Sequence, residues 1–189
     1  MDRFDFMTTV FVILTIVAMA GVGLGVVLAV GGALVPPVRR ARAAVVAFIG
    51  PEARRLAFAV ALVCTLGSLY YSEIERFTPC RLCWYQRICM FPLVVILGVG
   101  AWKRDPFTRL TALPFIVCGL GVSTWHFLIE RFPTLESNSC GLEVRCSAPY
   151  FTEFGFITLA FMCLSGMALI GTLLLVDRAH DRAIQEVPV

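Results

Sequence analysis

Five runs of mostly apolar residues, each long enough to cross a bilayer, constrain this chain more than any other feature. A helix rises about 1.5 Å per residue, so a hydrocarbon layer roughly 30 Å thick needs about 20 residues. The runs cover residues 7–35, 56–74, 83–102, 110–129 and 154–176. Only 15% of the 189 residues are charged, 59% are hydrophobic, and the mean hydropathy is +0.84. A soluble domain of this length needs more polar surface than that. The expected fold class is an all-α integral membrane protein. The net charge of +3 is small and its basic residues are scattered, so nucleic acid is not an expected partner.

The first run is expected to span the membrane rather than act as a cleaved signal. Its front, MDRFDF, is not basic, and its apolar stretch is too long. Its GVGLG lies inside an apolar helix rather than after a strand, which excludes a nucleotide loop. Gly21 and Gly25, four apart, suit close helix packing.

Arginine and lysine in the loops set the expected orientation. One side holds Arg39, Arg40, Arg42, Arg54, Arg55, Lys103, Arg104, Arg109, Arg178 and Arg182. The other holds Arg3, Arg76, Arg81, Arg131 and Arg145. Ten against five makes the first side cytoplasmic, with the N-terminus outside and the C-terminus inside. Tyr70, Tyr71, Trp84, Tyr85 and Trp125 gather near outer helix ends, as interfacial aromatics do. The basic stretch PPVRRARAAVVAFIGPEARR reads either as a segment on the anionic inner surface or as a solvated loop.

The eight cysteines sort by depth. Cys64, Cys89, Cys118 and Cys163 fall inside spans and read as small apolar packing residues. Cys80, Cys83, Cys140 and Cys146 fall in the outer loops, a compartment that permits disulfides. Thr78 as N-cap and Pro79 at the first helical position would put Cys80 in a helix's first turn and Cys83 about one turn on. A helix N-terminus favours thiolate, the species that exchanges disulfides. A structural disulfide or half a zinc site would use the same pair, with Cys140 and Cys146 as further ligands on paper. No resident metal is expected.

Arg87 lies four residues after Cys83, on the same helical face and about 6 Å deeper. It reads either as a side chain snorkelling to the interface or as a cation placed for a thiolate or a quinone oxygen. His126, near the outer end of the fourth span, reads either as a proton donor to the same pocket or as a hydrogen-bonded structural residue. Cys140 and Cys146 close a short ring, CGLEVRC, which is either a plain loop disulfide or one half of a relay. An arm of about 10 flexible residues reaches about 17 Å, enough to bring it to Cys80.

CRLCWYQRI before an apolar helix, a second outer cysteine pair, and EFGFITL opening the last span together resemble the bacterial disulfide bond formation protein B (DsbB) family. The spacing of the second pair looks most like the BdbC-type branch. The resemblance covers the second to fifth spans and implies a four-helix transmembrane bundle in the bacterial cytoplasmic (inner) membrane. The first helix is extra to that plan. It implies residues 1–55 as an added helix with a basic loop, 56–176 as the redox domain and 177–189 as a cytoplasmic tail. It also implies a thiol:quinone oxidoreductase that reoxidises an extracytoplasmic thioredoxin-like (DsbA-like) thiol oxidase. Electrons would pass to Cys140 and Cys146, then to Cys80 and Cys83, then to ubiquinone or menaquinone in the membrane. Cys140 would be attacked first, Cys83 would be the thiolate against the quinone, and Arg87 the quinone-side arginine. His126 matches only loosely. The vitamin K epoxide reductases share a helix bundle and quinone chemistry, but their loop pair precedes their CxxC, the reverse of the order here. The alternative outside enzymes is a membrane scaffold with structural disulfides or a four-cysteine metal site.

Overall fold

The computed structural model describes residues 2–103, 105, 107–136, 140 and 144–186. Six helices build it: α1 (Arg3–Leu34), α2 (Pro36–Ile49), α3 (Ala53–Leu69), α4 (Arg81–Lys103), α5 (Thr108–Arg131) and α6 (Leu159–Gln185). Five stretches are long and apolar enough to cross a membrane: α1, the helical stretch Pro36–Ile74, α4, α5 and α6. The molecule is a helical membrane protein, as its hydropathy requires.

α3, α4, α5 and α6 form a four-helix ring in which each packs on its neighbours, with α4 and α6 nearly across the diagonal. Small residues make the close approaches, as expected where helices associate by packing rather than by escape from water. Ala53, Ala57 and Ala61 recur every four residues on α3 and are fully buried. Gly119 of α5 faces Met167 and Cys89, and Gly166 of α6 faces Cys64. Cys89 is buried in the core, with Cys64 and Cys163 packed against it, whereas Cys118 is exposed.

The added helix, α1, packs along the outside of α6. Gly21 sits against Leu169, and a Cβ on Gly25 would lie 2.6 Å from Thr172 Cγ2. The expected packing role of this glycine pair is therefore realised. At Val35 the chain turns extended (φ −129°, ψ 119°), as a residue preceding proline tends to do. α2 then folds back, with Val38 against Gly31 and Arg42 against Gly32. The first fourteen residues of the basic stretch, α2, are thus helical with no buried residue.

Both boundaries of α6 differ from the sequence expectation. α6 starts at Leu159 rather than near residue 154, because Glu153 and Ile157 pair across a tight turn whose Phe154 and Gly155 take positive φ of 49° and 75°. Thr158 caps α6, its hydroxyl accepting the Phe161 N–H at 3.3 Å. The expected tail from 177 onward is helical to Gln185; residues 187–189 lie outside the described set.

Ions hold the end of the bundle remote from the cysteines. Arg54 of α3 donates to Asp177 at 2.8 Å and to Asp181 at 3.0 Å, both on α6. Arg109 of α5 reaches the same two carboxylates at 3.0 and 2.8 Å. Asp177 is buried, so the network ties three helices where solvent screens little.

Candidate functional site

The site lies where α3 ends, α4 begins and α5 meets the loop to α6. α4 starts at Arg81, two residues later than expected, and Cys80 is its cap. The Cys80 carbonyl accepts the Trp84 N–H at 3.1 Å and its sulfur accepts the Cys83 N–H at 3.3 Å. Thr78 does not cap the helix; its carbonyl accepts the Tyr150 hydroxyl at 2.8 Å. Tyr150 also stacks on Phe77, with centroids 4.2 Å apart. Those contacts hold residues 77–79 out of the helix, so the first turn begins at the cysteine itself.

Cys80 and Cys83 are free, their sulfurs 2.9 Å apart. A disulfide bond is about 2.05 Å long, so oxidation needs a closure of under about 1 Å. His126 Nε2 lies 3.7 Å from Cys80 Sγ and 3.9 Å from a Glu130 carboxylate oxygen. His126 Nδ1 lies 3.4 Å from Gln86 Oε1, and Gln86 in turn donates to the Ser123 hydroxyl at 3.1 Å. Glu130 accepts from the Thr158 hydroxyl, which joins α5 to the cap of α6. All of these polar side chains are buried, and each finds a partner. Hydrogen bonds from Cys83 and from His126, against the opposing effect of burial, hold the Cys80 thiol well below its ordinary value. Of the two, Cys83 lines the adjacent cavity and Cys80 does not.

Cys140 and Cys146 form a disulfide. Cys146 is 1% exposed and packs in one apolar cluster with Cys80 and Ile129, against which Cys83, Cys140, Leu82 and Val144 also pack. The sequence suggested a mobile arm that must reach for Cys80; the described part of the loop is already docked. Glu136 does much of that docking. It accepts the Cys146 N–H at 2.7 Å, and also bonds the N–H and hydroxyl of Ser147. The Ser147 hydroxyl and these backbone donors hold the Glu136 carboxyl below the usual carboxylate range. Residues 137–139 and 141–143 of the same loop lie outside the described set.

A cavity of about 440 Å³ opens between α1, α3, α4 and α6. At the cysteine end it meets Cys83, Gln86 and Arg87 of α4 and Ser68 of α3; farther in, it is lined mainly by apolar groups such as Val60, Val63 and Leu169. Arg87 is held against α3 and Trp84. It donates to the Ser68 hydroxyl and carbonyl, both at 3.0 Å, and lies 5.3 Å over the Trp84 ring. A guanidinium carries five N–H donors, and Ser68 takes two. Among the described residues Arg87 has no carboxylate partner.

Ligand atoms of Cys80, Cys83 and His126 all lie within 4.8 Å of one another, three of the four that a closed zinc site needs. The disulfide takes Cys140 and Cys146 out of that set, so four cysteine thiolates are not offered together.

Six of the residues singled out from sequence thus gather at one end: Cys80, Cys83, His126, Cys140 and Cys146 around one apolar cluster, and Arg87 on the cavity beside it. Gln86, Ser123, Glu130 and Glu136 were not anticipated. The i, i+4 spacing of His126 and Glu130 was the available signal for one of them.

These features define a class: a helical membrane protein that brings two cysteine pairs together at one end of its bundle, where dithiol and disulfide can exchange. The chain belongs to the DsbB family, whose model, described as disulfide bond formation protein DsbB, matches residues 52–176. It is 45% identical over 112 residues to Disulfide bond formation protein C of Bacillus subtilis, covering 59% of this chain and 81% of that protein. It is 44% identical over 112 residues to Probable disulfide formation protein C of Halalkalibacterium halodurans, covering 58% and 81%. Over 131 residues it is 37% identical to Probable disulfide formation protein C 2 of Bacillus cereus, covering 69% and 93%. No solved structure matches the chain. A role in disulfide bond formation, as an oxidoreductase, follows from the family.

Proposed function

We propose that this protein is a thiol:quinone oxidoreductase of the bacterial cytoplasmic membrane that reoxidises an extracytoplasmic, DsbA-like thiol oxidase. In this reading the cysteine end faces outward, with the N-terminus outside and the C-terminus in the cytoplasm. One observation carries it: both cysteine pairs share a single packed cluster, and one of the four, Cys83, also lines a cavity that pairs a cationic end with an apolar interior.

Cys140 is the more exposed member of the loop disulfide and is the sulfur a partner thiolate attacks. The partner's second thiol resolves the mixed disulfide, so the partner leaves oxidised and Cys140 and Cys146 are left as thiols. Cys146, packed beside Cys80, then attacks Cys80 in an oxidised Cys80–Cys83 pair, and Cys83 leaves as thiolate at the cavity wall. Cys140 attacks Cys146, which restores the loop disulfide and leaves Cys80 and Cys83 reduced. Two electrons have moved, one S–S bond for another. His126, between Cys80 and Glu130, is placed to hold the proton exchanged at the Cys80 sulfur. The free N–H groups of Arg87, held by Ser68, are placed to bind a carbonyl oxygen that gains negative charge. A ubiquinone or menaquinone bound there supplies an acceptor for two electrons and two protons.

In proteoliposomes, a reduced thioredoxin-like partner should be oxidised only when quinone is present, and Cys83→Ser should stop turnover. Quinone-independent oxidation, or full activity of Cys83→Ser, would overturn the assignment. Arg87→Ala should keep thiol exchange and raise the quinone KM.

A further inference from the structure

The cavity's walls do not all come from the segment matched by the family. α1 lies wholly before residue 52, yet its Phe11, Leu14, Thr15 and Ala18 line the cavity. The reason is how α1 docks. It packs along α6 but barely touches α3. At the cysteine end it is pinned to α3, where Phe11 covers Gly67, and to the helical turn that follows α3, where the Tyr71 hydroxyl meets Thr8 at 3.3 Å. Below that pin, α1 and α3 part, and the cavity fills the space between them over a floor of α6.

The polar and apolar parts are segregated along this space. Cys83, Gln86, Arg87 and Ser68 sit at the cysteine end. On α3 the lining continues from Ser68 to Leu56, twelve residues, or about 18 Å of helix at 1.5 Å per residue. The α1 wall runs from Phe11 to Ala18, about 10 Å of helix, and is apolar in effect, since the Thr15 hydroxyl is spent on the Phe11 carbonyl at 2.8 Å. A ring-sized head group needs only the upper part. The remainder is apolar space for a chain attached to that head.

We propose that α1 is the side wall of the acceptor site and binds the polyprenyl tail of the quinone, so that a tailed quinone binds more tightly than the same ring without its tail. This rests on the quinone reading given above. The two ideas are separable, because head and tail contact different residues.

The test uses the full chain, purified in detergent, with Trp102 and Trp125 replaced by phenylalanine. Trp84, which packs on Arg87, then reports quinone binding by fluorescence quenching. A polyprenyl quinone and a tailless quinone with the same ring are titrated against this parent and against Ala18→Phe, which fills the tail space. Leu24→Phe, at an exposed α1 position away from the cavity, is the control. The parent should bind the tailed quinone more tightly. Ala18→Phe should weaken the tailed quinone by about tenfold or more, equivalent to about 1.4 kcal/mol, and leave the tailless one unchanged, which also shows that the variant is folded. Leu24→Phe should change neither. Equal loss of both quinones, or no loss of the tailed one (as when a lipid acyl chain occupies that space instead), would overturn the role of α1 while leaving the quinone reading intact. If neither quinone quenches the parent, the quinone reading fails and this inference with it.

Discussion

Replacing His126 with leucine should make Cys80 a weaker acid and the Cys80–Cys83 disulfide a weaker oxidant. The Cys80 thiol is held well below its ordinary value by hydrogen bonds from Cys83 and then from His126, with burial opposing. A hydrogen bond to a charged group contributes about 1.5–3 kcal/mol. One pH unit corresponds to about 1.4 kcal/mol, so removing the imidazole should raise the Cys80 midpoint by about one to two pH units. The sign for stability follows from a depressed acid. The thiolate's contribution to the reduced protein is full above the ordinary thiol value and is lost as pH falls through the lowered one. Whatever stabilises the reduced pair makes its disulfide more oxidising. At about 30 mV per 1.4 kcal/mol, His126→Leu should lower the potential of the couple by about 30–60 mV. The assay is a thiolate-absorbance titration of reduced protein in which every cysteine but Cys80 and Cys83 is replaced. Equilibration with glutathione buffers gives the potential, and the melting temperature of the oxidised form controls for packing. An unchanged midpoint, or a potential that rises, would refute the assignment of His126 as a stabiliser of the Cys80 thiolate.

Asp177→Ala should destabilise the bundle by about 3–5 kcal/mol, because it strips the buried partner from two arginines. Asp181→Ala, at a more exposed carboxylate, should cost clearly less in the same denaturation assay; equal costs would contradict the burial argument. Glu136→Gln should speed reduction of Cys140–Cys146 by dithiothreitol, since the carboxylate clamps the Cys146 N–H. Because the Glu136 carboxyl is held below its usual range, the clamp is full above that range and fades as pH drops through the lowered value. The wild-type reduction rate, corrected for reagent ionisation, should therefore approach the variant's in acid, and a constant gap would argue against it. Gly25→Leu should cost about 1–3 kcal/mol by overpacking against Thr172 and should loosen α1 from α6, measured as loss of a disulfide cross-link engineered between them.

Much of the fold was legible because a bilayer imposes a length and a composition on whatever crosses it. The five spans fall where the apolar runs do, and the four-residue spacing of Gly21 and Gly25 signalled the contact with α6. The failures are local and have causes. The start of α4 was misplaced because Thr78 and Pro79 looked like a cap and a first turn, while Tyr150, 72 residues away, claims the Thr78 carbonyl. The start of α6 was misplaced because FGFITL is apolar enough to pass for helix, although Phe154 and Gly155 fold into a positive-φ turn. Arg54 and Arg109 were counted only as orientation charges; their pairing with Asp177 and Asp181 needs three helices in register, which hydropathy does not encode. The docking of Cys146 was likewise invisible, since it depends on Glu136 ten residues upstream.

The spacing of Cys80 and Cys83 gains its meaning from what surrounds each sulfur. Three residues along a helix start bring the sulfurs to 2.9 Å, close enough to oxidise with little movement. The same offset puts them in different surroundings. Cys80 sits at the cap, in contact with His126 and in the cluster that holds Cys146. Cys83 sits one turn in, on the wall of the cavity that contains Arg87. A longer spacing would separate the sulfurs, and an adjacent pair would strain the bond between them. This spacing lets one pair face a protein disulfide with one sulfur and an apolar cavity with the other. The aromatic contacts of Tyr150 with Phe77 and of Phe151 with Phe4 close over that end and tie the loop to α1. The cysteine pair is thus where thiol chemistry meets the cavity, and a change that loosened these aromatic contacts, such as Phe77→Ala, should let small aqueous thiols reach Cys83 directly.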